Sequence, residues 1–526
     1  MKMKRLSIIA AVAVLLTSCV KDLDVTPIDP NVVLPEQVLN TESTFEQLLA
    51  KCYVSLCVSG SQGPDKSPDM DGVDGGFGQY VRALFYLQEF TTDEAMIVWN
   101  DQTVKDLHAL SYTASDVFVA AMYSRIFYQI GLCNEFLRRA KASEFADSEN
   151  MKTMIAEARA LRALSYYHAI DMFGDVPFAD ETFNVGGAGP DQMSRADLFT
   201  WLDNECKDII ENSSIKGAKA NVYGRLDVNF VKMIRAHLNL NARVYLGLAD
   251  DAAAKAYYDV AGTMAKEVMA DYPTLRPSYK DLFCGENDQC NDEIIFGIQQ
   301  DGINTQSYGA TCFIIKASCK GGDTSVAGAL GIDDGWGGTL VMPEFMDKFE
   351  AADARNLFWG VGKSATSEKT ISTDEFDYGW SAHKFTNLNL DGSNPAITNF
   401  VGTDFPLFRA ADAYLIAAEV QLRGASTVTA AEGLAALTAV RTRAGVAAGT
   451  YDLDNLLDER GRELYWECWR RSDLIRYGLL TSDTYLWTWK GGSHDGRSVD
   501  AKYNIFPIPV RELNCNLKLQ QNDLWK

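Results

Sequence analysis

Apolar residues recur at three- and four-residue spacing through several long stretches of this chain, and that period predicts helices. Residues 151–173 (MKTMIAEARALRALSYYHAIDMF) are alanine-rich with aromatics on one side, and Gly174 and Pro177 end the pattern. Residues 227–248 form another such stretch, followed after a very short turn by 252–269. Further along, 405–422, 430–443 and 456–477 read the same way. Two regions break the period. Residues 60–79 are rich in Gly, Asp and Pro, and residues 284–400 hold many Gly, Asn, Asp and Thr with short strand-like pieces such as Glu293-Ile294-Ile295-Phe296. Long irregular segments inside a compact domain are uncommon and often functional. The expected arrangement is a helical scaffold that displays a site on its irregular segments.

Paired helices with small residues at contact positions are similar to tetratricopeptide hairpins. Ala242, Tyr245, Leu246 and Gly247 in one predicted helix face Ala254 and Tyr258 in the next. No regular period repeats along the chain, so such hairpins are degenerate, and a generic helical bundle fits the pattern too. The fold class expected is all-α, with minor strand pieces.

The N-terminus carries a different signal. Residues 2–5 are Lys-Met-Lys-Arg, residues 6–16 are apolar except Ser7, and Thr17-Ser18-Cys19 follows. A basic start, an apolar core of about 7–15 residues and small residues before a cleavage point define a secretory signal. The run is shorter than the roughly 20 residues of a membrane-spanning helix. Small residues leading into Cys19 are similar to the bacterial lipobox, whose cysteine is acylated and becomes the mature N-terminus. An ordinary signal peptide with a chance cysteine is the plainer alternative. The organisation expected is a signal peptide over 1–18, a lipidated, proline-punctuated tether over 19–42, and a single domain over 43–526 with an irregular inserted region at about 284–400.

Charge narrows the partners. The 526 residues hold 49 Lys and Arg against 71 Asp and Glu, a formal net charge of −22. That balance speaks against nucleic acid, whose phosphates demand a basic face, and against adhesion to anionic lipid by charge alone. Attachment to a membrane then rests on acyl chains, worth about 0.8 kcal/mol per buried CH2. Of the 11 cysteines, those besides Cys19 are Cys52, Cys57, Cys133, Cys206, Cys284, Cys290, Cys312, Cys319, Cys468 and Cys515. No CxxC occurs, so zinc and thioredoxin-like chemistry lack their usual spacing. The close pairs Cys52/Cys57, Cys284/Cys290 and Cys312/Cys319 fit disulfides in an oxidising compartment, and they fit buried free thiols equally well.

Catalytic signatures are mostly absent. The five histidines form no HExxH, and no GxSxG elbow occurs. Gly362-Lys363-Ser364 mimics the end of a P-loop, but Leu357 stands where its first glycine belongs. Asp69, Asp71 and Asp74 suggest a calcium loop with the wrong spacing for an EF-hand. What remains is aromatic and polar. Trp99, Tyr308 and Trp336 lie in or beside the irregular segments, among Gly, Asn and Asp. Such rings stack on the apolar face of a sugar while neighbouring amides and charges bind hydroxyls, the usual make-up of a ligand site. Packing into the core is the alternative for each ring.

Several stretches together resemble the SusD/RagB family of bacterial outer-membrane lipoproteins. They are Glu157-Ala158-Arg159-Ala160-Leu161-Arg162-Ala163 leading to Phe173-Gly174-Asp175-Val176-Pro177-Phe178, then Val440-Arg441-Thr442-Arg443-Ala444-Gly445, Glu459-Arg460-Gly461-Arg462-Glu463-Leu464 running on to Arg471-Ser472-Asp473-Leu474, and Phe506-Pro507-Ile508-Pro509 with Glu512, Asn514, Asn516 and Gln521-Asn522. The resemblance implies an all-α, tetratricopeptide-like fold without catalysis. It implies a lipid-anchored, surface-exposed glycan-capturing role at the outer membrane and a TonB-dependent transporter of the SusC type as partner. Lys21-Asp22 looks like the acidic surface-export tag of these lipoproteins.

Ser67-Pro68-Asp69-Met70-Asp71-Gly72, Thr92-Asp93-Glu94, Asp301-Gly302, Tyr308-Gly309, Asp334-Gly335-Trp336 and residues 485–492 are similar to the family's starch-binding member. The resemblance implies that Asp74 and Arg82 hydrogen-bond sugar hydroxyls. It implies that Trp99, Tyr308 and Trp336 form a curved platform for a bent α-linked glucan such as starch or a maltooligosaccharide. Gln102 stands where the relative has an asparagine, and Ile97 replaces a further aromatic. Residues 285–289 resemble a shortened calcium-binding loop, with Asp288 as one ligand of a structural calcium; no other cofactor is expected. Peptide-binding or other-glycan-binding members of the family are the alternative reading.

Overall fold

The computed structural model describes residues 38–362 and 371–526. The signal peptide, Cys19 and most of the tether lie outside the described residues, as does part of the P-loop mimic. Residues Leu48–Lys526 pack as one compact unit.

Helices dominate, and each long one lies against the next in sequence or a near neighbour. Val117–Ala142 packs on Glu149–Met172, which packs on Arg195–Asn212; that helix packs on Val228–Leu240, and Val228–Leu240 on Asp251–Asp271. Asp251–Asp271 then packs on Ala410–Leu422, and Ala410–Leu422 on Ala430–Arg443. The starts of these helices are set by side chains that accept otherwise orphaned N–H groups. Asp116 accepts from Phe118 and Val119, and Ser148 from Met151. Thr429 and Glu432 form a reciprocal capping box. Gly174 ends the helix Glu149–Met172 in the left-handed region, at φ 74°.

The all-α scaffold expected from the period is present, with three boundary differences. Residues 405–409 form a strand rather than the first turn of a helix, pairing with Ile294–Ile298. The stretch 227–248 is interrupted at Asn241 before a short turn of helix at Ala242–Tyr245. The stretch 456–477 is two helices, Leu453–Leu464 and Arg470–Arg476. Between them Trp466 and Cys468 take positive φ of 62° and 70°, where their N–H groups donate to buried Glu94 and Glu89 at 3.1 and 2.6 Å. Tertiary hydrogen bonds override local helix preference there. The ten described cysteines are free thiols, nine of them buried and Cys515 exposed, so none of the three close pairs is bridged.

The irregular region contributes three strands of an antiparallel four-stranded sheet, in the order Ala95–Ile97, Thr339–Val341, Tyr378–Ala382 and Phe358–Gly362, the first of which precedes it. This sheet ties the segment after the helix Tyr80–Gln88 to the far end of the chain's irregular insert, and it positions the candidate site. Residues 60–79 have neither helix nor strand, as their composition predicts.

Candidate functional site

The site is built around a turn of small residues. The strand pair Ala95–Ile97 and Thr339–Val341 brings Trp99, two residues past one strand, beside Trp336-Gly337-Gly338, just before the other. Val98 N–H donates to Gly338 O at 2.9 Å, and the Trp99 indole Nε1–H donates to Gly337 O. A Cβ on Gly338 would lie 2.6 Å from Trp99 Nε1, so only glycine admits this close approach. Trp336 is fixed by its N–H to Lys316 O at 2.7 Å. Its neighbour is Tyr308, with ring centroids 5.8 Å apart and planes at 70°. Phe400 backs Tyr308 at 5.3 Å. All three platform candidates are half-buried.

Below them lies a floor. Phe313 meets Trp99 edge-on at 6.0 Å, and the Arg82 guanidinium sits 4.3 Å above the Phe313 ring and 5.7 Å from Trp99. Arg82 is buried and donates through Nη1 to Gly76 O and Tyr308 O, each at 2.9 Å, and through Nη2 to the Tyr86 hydroxyl at 3.2 Å. It therefore ties the 60–79 segment to the Tyr308 segment. Its Nε has no protein partner. Asp74 is exposed and close by, with Oδ1 accepting from Gly76 N–H at 2.7 Å. Gln102 is exposed at the start of the helix Gln102–His108, its amide donating to Asp106 Oδ1 at 2.8 Å. Ile97 is buried within its strand, opposite Thr339, and presents nothing to the platform.

The rim is charged. Buried Lys316 pairs with Asp333 and lies 5.9 Å from the Trp336 ring centroid. Backbone N–H groups of Gly322 and Gly335 hold the exposed Asp334 carboxyl below its usual range, so it is ionised at neutral pH. Burial would raise the Asp301 carboxyl, but donors from Thr305, Asn304 and Ile303 outweigh it and lower it. Aromatic faces flanked by oriented polar groups can stack on a sugar ring and bind its hydroxyls.

The fold thus gathers Arg82, Trp99, Tyr308 and Trp336 directly, with Asp74 linked through Gly76 and Gln102 on the helix that follows Trp99. Phe313 and Phe400 are additions that sequence reasoning missed. Phe313 lies in the apolar run of the helix Ala310–Ala317, where nothing distinguishes a site floor from ordinary core. Asp288 is exposed on the single turn Asn287–Gln289. Among the described residues no group of three or more His, Cys, Asp or Glu side chains gathers to hold a metal.

A helical-hairpin scaffold carrying an aromatic platform on irregular segments defines a ligand-binding protein class. The SusD family sequence pattern (SusD_RagB) matches residues 358–525. The starch-binding protein SusD of Bacteroides thetaiotaomicron is 32% identical over 580 residues, covering 99% of both chains. A SusD-like protein, P25, of Formosa agariphila is 24% identical and covers 97% of both. The chain belongs to the SusD/RagB family, a family of non-catalytic binding proteins. Among solved structures, a SusD superfamily protein from Parabacteroides distasonis has the same fold, with TM-score 0.72, 19% identity, and 92% of this chain and 99% of that chain covered. Surface glycan-binding protein A from Bacteroides thetaiotaomicron, solved with laminarihexaose, gives TM-score 0.70 at 19% identity, covering 91% and 99%.

Proposed function

We propose that this chain is a cell-surface lipoprotein of the bacterial outer membrane that captures α-glucans, starch or maltooligosaccharides, and delivers them to a TonB-dependent transporter of the SusC type. Cys19 is the lipid attachment point in this reading. The observation that carries the glycan assignment is the half-buried cluster of Trp99, Tyr308 and Trp336, held open by Gly337 and Gly338 over the Phe313–Arg82 floor. Rings fixed from behind lose little freedom on binding, which suits a shallow platform for a sugar chain. The α-linkage is favoured by the relative named starch-binding protein SusD; a structural neighbour holding laminarihexaose makes β-glucan the competitor to test. Arg82 acts here by positioning the Gly76 and Tyr308 segments, since two of its nitrogens are occupied by carbonyl and hydroxyl oxygens.

Affinity electrophoresis against starch, pullulan, dextran, levan and laminarin tests the reading. Retardation is expected on starch and pullulan and not on levan. Trp336→Ala should lose retardation while its melting temperature moves only a few degrees. The loss of a stacked ring is worth about 1–3 kcal/mol by analogy with base stacking, roughly ten- to hundredfold in affinity. Retardation on laminarin alone replaces the α-glucan assignment with a β-glucan one. Migration unchanged on every polysaccharide overturns glycan capture.

A further inference from the structure

Trp359 stands apart from the other tryptophans. It is 46% exposed, on the outer strand Phe358–Gly362 of the four-stranded sheet. Water does not favour an indole there, yet the ring is not loose. It stacks on the His383 imidazole at 5.6 Å between centroids with planes 17° apart. His383 is half-buried, and desolvation pushes its imidazole down to about 4, so it is neutral at physiological pH. The indole is thereby backed by an uncharged flat ring and offers its other face outward.

That ring lines a cavity of about 160 Å³ together with Ser318, Lys320, Asp323 and Phe376. Lys320 and Phe376 connect it to the platform. A Cβ on Gly337 would lie 3.3 Å from Phe376 and 3.8 Å from Lys320 Cα, and Gly337 O is the acceptor of the Trp99 indole. The cavity and the platform share this wall. The polar groups on the cavity are also pre-set: Lys320 Nζ pairs with Asp377 at 2.7 Å, and Asp323 Oδ1 accepts from Val326 N–H at 3.1 Å. A supported indole beside fixed donors and acceptors repeats the chemistry of the main platform.

We propose that Trp359, with Lys320 and Asp323, forms a second sugar-binding subsite that takes a distal ring of the same glucan chain held by Trp99, Tyr308 and Trp336. The inference rests on the glycan reading of that platform. Its consequence is length selectivity. A short oligosaccharide fills the platform alone, and a longer one reaches Trp359 as well.

Isothermal titration with maltotriose and maltoheptaose, and with laminaritriose and laminarihexaose as the β-linked pair, tests it on wild type, Trp359→Ala and Trp359→Tyr. In the series that binds, wild type should prefer the longer member by about tenfold or more, the effect of roughly one added stacked ring. Trp359→Ala should bring the longer member down to the affinity of the shorter one and leave the shorter unchanged. Trp359→Tyr should retain most of the preference, which a merely structural role for the ring would not require. An unchanged length preference in Trp359→Ala overturns the subsite and leaves the platform reading intact. Equal losses for short and long members also overturn it, because Trp359 would then act on the platform itself. A wild type that binds neither series overturns the platform reading, and the subsite falls with it.

Discussion

Two regions of this molecule use polar and aromatic groups in opposite ways. One is the buried charge network around the helix Leu453–Leu464. Glu463 accepts from Arg355 at 3.0 Å and also pairs with Arg409 and Arg443. Arg409 reaches Glu293 at 3.1 Å and Glu467 at 2.6 Å, and Arg460 reaches Asp412 at 3.0 Å and Asp473 at 2.8 Å. All of these groups are buried except half-buried Arg443, and each has an ionic partner from another segment, while Arg443 Nε and Arg460 Nη2 have no protein partner. The other region is the Trp99–Tyr308–Trp336 cluster, where the polar groups hold backbone in place and the rings are half-buried. Arg441, Arg443, Glu459, Arg460 and Glu463, which carry much of the family resemblance, all belong to the first region. They identify the fold because removing any one strands a buried charge. The Trp99, Tyr308 and Trp336 rings are half-buried and take no part in that charge network.

The sharpest way to break this contrast is Glu463→Ala. Three guanidinium groups would lose a shared carboxylate in a buried setting, and breaking a buried pair costs about 3–5 kcal/mol. Urea unfolding should show that loss, while the folded fraction retains its glucan binding. A loss under about 1 kcal/mol, the range of exposed pairs, would mean that the network contributes no more than surface charges do.

Acid should separate the two regions with a smaller effect per group. Burial alone would raise the Asp412 carboxyl, but His237 and Arg460 outweigh it and lower it to about 2. Its folded pKa therefore lies below its unfolded value of about 3.9. The stability it contributes is present above that unfolded value and is lost as pH falls through about 2. At about 1.4 kcal/mol per unit, this one group is worth about 2–3 kcal/mol. The Asp412→Asn variant, measured by urea unfolding from pH 6 to pH 2, should show a shallower acid decline than wild type. Parallel curves would remove Asp412 from the acid response.

The scaffold was legible because helical period and stop residues are local properties. Residues 430–443 coincide with the observed helix Ala430–Arg443, and 252–269 lie within Asp251–Asp271. The expectation failed where a distant group decides the backbone. The strand Phe405–Arg409 exists because Ile294–Ile298 pairs with it, and the break at Trp466–Cys468 because Glu94 and Glu89 draw those N–H groups. The platform was only half legible. The family resemblance marked Trp99, Tyr308 and Trp336, but the sheet register that joins Trp99 to Gly337 spans more than two hundred residues and leaves no local trace. The resemblance implies that Arg82 hydrogen-bonds a sugar hydroxyl, and its contacts to Gly76 O and Tyr308 O, which no local pattern shows, also make it a brace. Phe400 and Trp359 had no signal beyond their residue type.

Gln102 offers the finest test of the comparison, because it belongs to the candidate site without belonging to its floor. Its side chain is exposed, and its one described partner is Asp106 Oδ1, four residues along the same helix. Gln102→Ala should leave stability within about 0.5 kcal/mol, as for other surface changes. If the amide binds a sugar hydroxyl, its removal costs one neutral hydrogen bond, about 0.5–1.5 kcal/mol, or roughly two- to tenfold in affinity. Titration of Gln102→Ala with the bound oligosaccharide should therefore show a weaker complex that still forms, in contrast to Trp336→Ala. Restoration by Gln102→Asn would show that the amide acts from a shorter side chain as well. Unchanged affinity in Gln102→Ala would confine binding to the rings and to the polar groups around them, and would place Gln102 among the solvated helix residues with Asp106.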